Sequence, residues 1–327
     1  MAEIFDLAAT NLLSPVILFF ILGLAAALAR SDLSIPEAVA KGLSLYLLFA
    51  IGFKGGASVA AHGVDARLLA SLGAGLLLSF ALPFVAFGLL RVMTNLNRLD
   101  AAAVAAHYGS ISIVTFVAAS SVLEGRMIDA EGYMVAVAAA MEAPAILSAL
   151  WLVARGAPDD ERMDATLLRE ILLNGSIVLL VGSFAIGAIT GQDGLDDISS
   201  FIVAPFLGVL CLFLLDMGLV AGRGLRAVRG QLSFGTVAFA MLMPLVGSTL
   251  GLGFGLLIGL SAGGVALLMV LSASASYIAV PAAMRVALPE ANPSIYLTLS
   301  LGVTFPFNLT IGIPLYVAVA SAIVGVK

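Results

Sequence analysis

Two stretches decide how this chain folds: His107-Tyr108-Gly109-Ser110-Ile111-Ser112 and Ser272-Ala273-Ser274-Ala275-Ser276. Each places small and hydroxyl residues near the centre of an apolar run, Ala101–Leu123 in one case and Gly264–Ala287 in the other. The fragments flanking each break are about 10 residues long, or about 15 Å at 1.5 Å per residue. That is half a bilayer core. In lipid, a broken helix is tolerated only where protein or a wet cavity satisfies the freed backbone groups. The breaks therefore predict a membrane protein with a polar point near the bilayer midplane.

Composition agrees. Of 327 residues, 61% are hydrophobic and 11% charged, with a mean hydropathy of +1.15. A soluble domain runs near half apolar and a quarter charged. The net charge of −5 and the lack of any Lys/Arg run argue against a nucleic-acid partner. Cys211 is the single cysteine, so no disulfide framework forms within the chain, and it reads as a small packing residue. Two histidines are too few for a His-rich metal centre. Met1 to Asn11 carries Glu3 and Asp6 without a basic residue, which does not fit a secretory signal. The first apolar run is expected to be retained structure.

Reading apolar runs between breaks gives ten expected spans in an all-α membrane domain: Leu13–Ala29, Val39–Ala60, Leu68–Leu90, Ala101–Leu123 and Tyr133–Ala154, then Leu168–Ile189, Phe201–Val220, Phe234–Leu257, Gly264–Ala287 and Ile295–Val324. Residues 1–154 form a first half of five, Arg155–Glu170 a connecting loop, and 171–327 a second half. With the N-terminus outside, 11 of the 15 basic residues fall in cytoplasmic loops. Only Lys54, Arg67, Arg126 and Lys327 remain outside, so both termini are expected on the external side of a bacterial plasma membrane. Asp193, Asp196 and Asp197 then fall in an external loop.

Five spans invert the topology of the five that follow, so related halves make an inverted repeat. Ser110 and Ser112 match Ser274 and Ser276 at an offset of 164 residues, and Gly52 and Gly56 match Gly218 and Gly222 at 166. Tyr133 and Pro144 match Tyr296 and Pro306 at 163 and 162. Four concordant pairings in one order argue for a 5+5 repeat with fourth and ninth spans broken. The small-xxx-small pairs, Gly251/Gly255/Gly259 included, read as helix packing.

Paired breaks at equivalent positions are the best sequence pointer to a midplane substrate site. The half-helices that follow start at Ser112 and Ser276, offering free N–H groups and positive dipole ends. Gly109, Ser110, Ile111, Ser112, Ser272, Ala273, Ser274, Ala275 and Ser276 are thus the candidate binding residues for a small oxyanion. The competing reading lets each serine bond back to its own helix carbonyls. Serines in unbroken spans, such as Ser79 and Ser183, are expected to do only that. Glu142, near the centre of the fifth span, is a costly intramembrane carboxylate and a candidate for binding Na⁺ or carrying a proton. Thr115, Thr304 and Asn308 are the other Na⁺ candidates, and Thr310 adds an oxygen nearby. His107 stands between a core histidine and a site residue, Asp216 between a site residue and one near the cytoplasmic surface, and Trp151 suits an interfacial belt.

These residues carry a resemblance. Asn11-Leu12-Leu13-Ser14-Pro15, Gly52 to Gly56, HYGSISIVTF at 107–116, EGYMVAVAAAMEAPAI at 131–146 and SASASYIAVPAAMR at 272–285 resemble the sodium-dependent bicarbonate transporters of the cyanobacterial type. The resemblance covers nearly the whole chain. It implies a homotrimer of ten-helix subunits, each with a core and a gate domain, moving substrate by an elevator-like shift. It implies Na⁺-coupled uptake with bicarbonate between the two broken helices, and no cofactor beyond Na⁺ as coupling ion. The loop Arg155–Glu170 is shorter than in the cyanobacterial members, which counts against the PII-like regulatory protein that docks on their cytoplasmic face.

Two other classes remain open at the level of sequence. One is a carrier of the same architecture for another small anion, or a Na⁺/H⁺ exchanger. A pocket without Arg or Lys argues against large or doubly charged anions. The other is a sensor or scaffold without flux. An enzyme is not expected, since no His/Asp pair is placed to activate the serines.

Overall fold

The computed structural model describes residues 13–63, 65–141, 144–154, 175–227, 232–277, 280–281, 284, 288 and 290–325. Every regular element among them is helical. In chain order these are α1 (Pro15–Leu28), α2 (Glu37–His62), α3 (Ala66–Met93), α4 (Arg98–His107), α5 (Ile113–Gly125), α6 (Met134–Ala140), α7 (Pro144–Ala154), α8 (Gly175–Ile202), α9 (Phe206–Ala227), α10 (Phe234–Ile258), α11 (Ala262–Ala273) and the long run α12 (Pro293–Val324). Six helices are long and apolar enough to cross a membrane: α2, α3, α8, α9, α10 and α12. Three more apolar helices, α1, α5 and α11, are shorter.

One device starts many of these helices. Asp65 accepts the Leu68 N–H at 2.8 Å, Asn97 accepts the Asp100 N–H at 2.7 Å, and Ser261 accepts the Gly264 N–H at 3.0 Å. Each side-chain oxygen satisfies a donor that the first helical turn leaves without a carbonyl. Such caps matter more in a bilayer, where water does not substitute.

The broken segments form the centre. Ala101 to His107 of α4 and all twelve residues of α11 are buried, and most of α5 with them. A helix apolar on every side is a core helix. The outer helices instead expose large apolar residues, among them Leu69, Leu77, Ile186 and Leu257, as helices facing lipid do.

Glycines set the closest approaches. Gly52 and Gly56 of α2 lie on the α8 backbone at Leu180 and Phe184, and Gly187 of α8 lies on α2 at Phe53. Gly218 of α9 meets α1 at Phe20, Gly222 meets it at Leu24, and Gly23 of α1 meets α9 at Leu215. The glycine pairs are therefore packing surfaces, as expected. Gly251 and Gly255 likewise face α11, but Gly259 ends α10 in a left-handed turn (φ 75°) and caps rather than packs.

Three expectations change. The fifth span is split into α6 and α7, with Met141 in a turn. Pro144 explains this, because it lacks the N–H that the Ala140 carbonyl, four residues back, would need for the helix to continue. The sixth span does not end at Ile189: α8 runs on to Ile202 past a kink at Gly191 (φ 64°). Asp193, Asp196 and Asp197 consequently lie in its last turns rather than in a loop, with Gln192 donating to Asp196 at 2.8 Å. The tenth span contains two π-helical stretches, Thr298–Thr304 and Asn308–Gly312, separated by Phe305–Phe307. Pro306, without an N–H and crowding the carbonyl four residues back, breaks the α pattern there. The connecting loop Arg155–Glu170 lies outside the described residues.

The glycine contacts yield a test. A Cβ at position 56 would strike the α8 backbone, while one at Gly73 of α3 meets nothing within 4 Å. Gly56→Ala should cost about 1–3 kcal/mol through overpacking, read as a lower thermal midpoint of the purified protein. Gly73→Ala should leave the midpoint unchanged; equal effects would remove close α2–α8 contact as the reason for the glycine.

Candidate functional site

The chain between α4 and α5, and the chain after α11, are irregular where they meet. α4 ends at His107, and α5 starts at Ile113 with Ser112 as its cap. α11 ends at Ala273, followed by non-helical Ser274, Ala275 and Ser276. The two breaks bond to each other. Ser276 N–H donates to the His107 carbonyl at 2.7 Å, and Ser112 N–H donates to Ser274 Oγ at 3.0 Å. Ser110, Ile111, Ser112, Ala273, Ser274, Ala275 and Ser276 are all buried there.

The hydroxyls have definite jobs. Ser112 Oγ accepts the Thr115 N–H at 3.2 Å and the Thr115 hydroxyl at 2.8 Å, so it caps α5 twice over. Ser274 Oγ donates to the Leu271 carbonyl at 2.9 Å while receiving Ser112 N–H. Both N–H groups that the sequence offered as free donors, at Ser112 and Ser276, are thus held by the opposite break. The first-turn N–H groups of α5 at Ile113 and Val114 have no helical carbonyl, as at any helix start.

Gly109 and Ser272 fix the breaks against neighbouring helices. A Cβ at Gly109 would collide with Pro83 and the Ser79 carbonyl of α3, so only glycine lets that strand of backbone lie there. The Ser272 carbonyl sits against Gly247 of α10, whose Cβ would occupy the same space. Ser272 therefore faces α10, and its hydroxyl has no hydrogen-bond partner among the described residues.

The Na⁺ candidates surround the crossing from α12 and α5. Thr304 Oγ1 donates to the Ala240 carbonyl at 2.7 Å, so its 2.7 Å contact with Tyr108 is one in which the phenol donates. Asn308 donates to the Ala273 carbonyl at 2.9 Å, covering the exposed end of α11, and accepts from Tyr316 at 3.0 Å. Each oxygen keeps a lone pair: Thr304 and Asn308 one, and Thr115 Oγ1, which only donates among these bonds, two. Neutral oxygens with spare lone pairs suit a hard cation. Glu142 lies outside the described residues. Thr310 bonds back to the Pro306 carbonyl at 2.7 Å, the local alternative.

Other residues settle as follows. His107 is fully buried, with Nδ1 2.7 Å from the Ala103 carbonyl and its ring stacked on Tyr296 at 4.7 Å. A carbonyl only accepts, so Nδ1 carries the proton. Asp216 is buried within α9. Trp151 is partly exposed and packs edge-on against Phe84. Ser79 is not a bystander: it is buried and donates to the Met141 carbonyl at 2.6 Å, filling an acceptor at the turn between α6 and α7. Sequence reading missed Tyr108, whose hydroxyl ties the first break to α12, and Tyr277, whose ring packs on Phe305 at 5.1 Å. Their positions beside the two breaks were the available signal.

The Tyr108–Thr304–Ala240 chain gives a prediction. Thr304→Val should cost about 1–3 kcal/mol by stranding a buried phenol and a carbonyl. In a double-mutant cycle, adding Tyr108→Phe should cost less than its effect alone, with a coupling of about 0.5–3 kcal/mol. Additive changes in the thermal midpoint would show that the two hydroxyls do not act as a unit.

No curated protein matches the chain. A family profile described as the Na⁺-dependent bicarbonate transporter superfamily matches residues 15–321, almost the full length. The helices long enough to span a bilayer and this match make the protein a multi-pass membrane transporter rather than an enzyme. The chain belongs to the Na⁺-dependent bicarbonate transporter superfamily.

Proposed function

We propose that the protein is a secondary active symporter that couples Na⁺ entry to bicarbonate uptake, with the anion held where the two breaks cross. The observation that carries this reading is the reciprocal pair of bonds, Ser276 N–H to His107 and Ser112 N–H to Ser274. They bring the start of α5, the chain just beyond α11 and several serine hydroxyls to one buried point. A hydroxyl rotates, so Ser274 Oγ can turn its proton from the Leu271 carbonyl to an anion while its lone pair still accepts Ser112 N–H. Bicarbonate, a small monoanion rich in oxygen, suits hydroxyls and N–H groups without a guanidinium. Na⁺ would sit among Thr115, Thr304, Asn308 and Glu142, its charge offsetting that of the anion.

The chain reads as ten spans in a 5+5 inverted repeat. What supports this is the pairing of helices: the first span packs on the seventh (α1 on α9) and the second on the sixth (α2 on α8). Exchanging the halves turns one contact into the other. Alternating access by an elevator shift, a homotrimeric assembly, and a bacterial plasma-membrane setting with both termini outside complete the reading. These rest on the family resemblance and the charge split.

Uptake of labelled bicarbonate into proteoliposomes tests it. Uptake should require an inward Na⁺ gradient, and Glu142→Gln should weaken that dependence strongly while the protein stays folded. Ser112→Ala should reduce apparent affinity about tenfold or more, the worth of one hydrogen bond to a charged group, and Ser274→Leu should stop transport. Gradient-independent uptake, or a Ser274→Leu protein that still carries bicarbonate, would sink the reading. Orientation has its own check. A cysteine at Lys327 should react with an impermeant reagent from outside intact cells, and one at Pro158 should not; the reverse pattern inverts the repeats.

A further inference from the structure

A cavity of about 660 Å³ lies between α2 and α9 on one side and α5, α6 and α11 on the other. Its walls are mainly apolar, with Phe116, Phe206 and Leu267 among them. Lys54 supplies its single basic side chain. Phe116 follows Ser112 by four residues, about 6 Å along the α5 axis. The cavity therefore reaches to about one turn from the crossing of the breaks.

Lys54 is unusual within this wall. It is partly buried, its ammonium sits 5.0 Å from the centre of the Phe206 ring, and no carboxylate among the described residues pairs with it. Three acidic residues also line the cavity, but none of them answers it. Glu131 is engaged by α11, accepting the Ser261 N–H at 2.7 Å and the Ser261 hydroxyl at 2.8 Å. Glu124, in the last turn of α5, and Asp129, just beyond it, are both exposed. Lys54 stands eight residues before the end of α2, about 12 Å down the helix axis. Charges at a wet mouth are screened within about 8 Å at physiological salt. An ammonium between apolar walls keeps more of its field than the exposed carboxylates keep of theirs, so it attracts an anion to itself although the lining is not of one sign.

We propose that this cavity is a second anion site, an external access site in which Lys54 receives bicarbonate before it passes to the crossing of the breaks. The proposal rests on the carrier reading above. The ammonium offers three donors, and the Ser120 hydroxyl, which donates to the Phe116 carbonyl at 3.0 Å, leaves lone pairs for the O–H of the anion. A site that must release its ligand inward is better served by one mobile lysine than by a bidentate arginine.

Two measurements test it on the full-length protein in liposomes. In the first, Lys54→Gln should raise the half-saturating bicarbonate concentration about tenfold, the worth of a charge-assisted bond, with maximal rate and Na⁺ dependence unchanged. Lys54→Arg should restore most of the affinity. In the second, Lys54→Cys is placed in a Cys211→Ser background and treated from outside with methanethiosulfonates. The aminoethyl reagent should restore affinity, the sulfonatoethyl reagent should not, and bicarbonate should slow either modification while nitrate at equal ionic strength does so less. The site is overturned if Lys54→Gln saturates like the parent, or if modification proceeds at one rate with and without bicarbonate. Protection by Na⁺ alone would make it a cation site and overturn it too. A parent protein that takes up no bicarbonate would instead overturn the carrier reading, and protection at Lys54→Cys would still report on this cavity.

Discussion

Everything here depends on one constraint: a peptide backbone that leaves the helix inside a bilayer must find partners for its freed N–H and C=O groups. At the centre of this protein the partners come from the other break. Ser276 N–H reaches His107, Ser112 N–H reaches Ser274, and Asn308 covers the Ala273 carbonyl. Each break thus satisfies polar groups of the other, which ties the fourth and ninth segments together at their centres. Water could have done the same job in a soluble protein, at the expense of a defined geometry.

That unit needs close neighbours. Gly109 admits Pro83 and the Ser79 carbonyl, and Gly247 admits the Ser272 carbonyl. A side chain at either place would push a break away from its supporting helix. Elsewhere the glycines of α1, α2, α8 and α9 let backbones touch, which replaces the missing hydrophobic drive between helices in lipid with dense van der Waals contact. The inner core of α4, α5 and α11 is nearly all small or aliphatic, so its polar groups are concentrated at the crossing.

A site built of mutually satisfied groups binds by exchange. On the carrier reading proposed above, ligand oxygens would replace protein oxygens on the same N–H groups, so little desolvation would be added and little affinity gained beyond the difference. Such exchange suits a carrier in the bicarbonate transporter superfamily, which must release what it binds. The hydroxyls of Ser274 and Thr115 are the adaptable members, since a rotating O–H reaches more than one acceptor, whereas a backbone N–H has a fixed direction.

Sequence alone carried the class of the protein and the location of its centre. Composition demanded lipid, the paired Ser-x-Ser breaks marked the two interrupted segments, and the motif strings pointed to the family that the chain belongs to. The small-xxx-small pairs, Gly259 excepted, were legible as packing because helical period puts them on one face. What sequence could not give was the partner of each polar group. Ser79 looked like a helix serine and proved to serve the Met141 carbonyl 62 residues away. Thr304 and Asn308 looked like ion ligands and also tie Tyr108 and the end of α11. Hydrogen bonds between distant segments leave no periodic trace in a chain, so only the tertiary structure decides them. The same holds for the ends of α8 and for the π turns of α12, where a kinking glycine and a proline act through neighbours that sequence does not reveal.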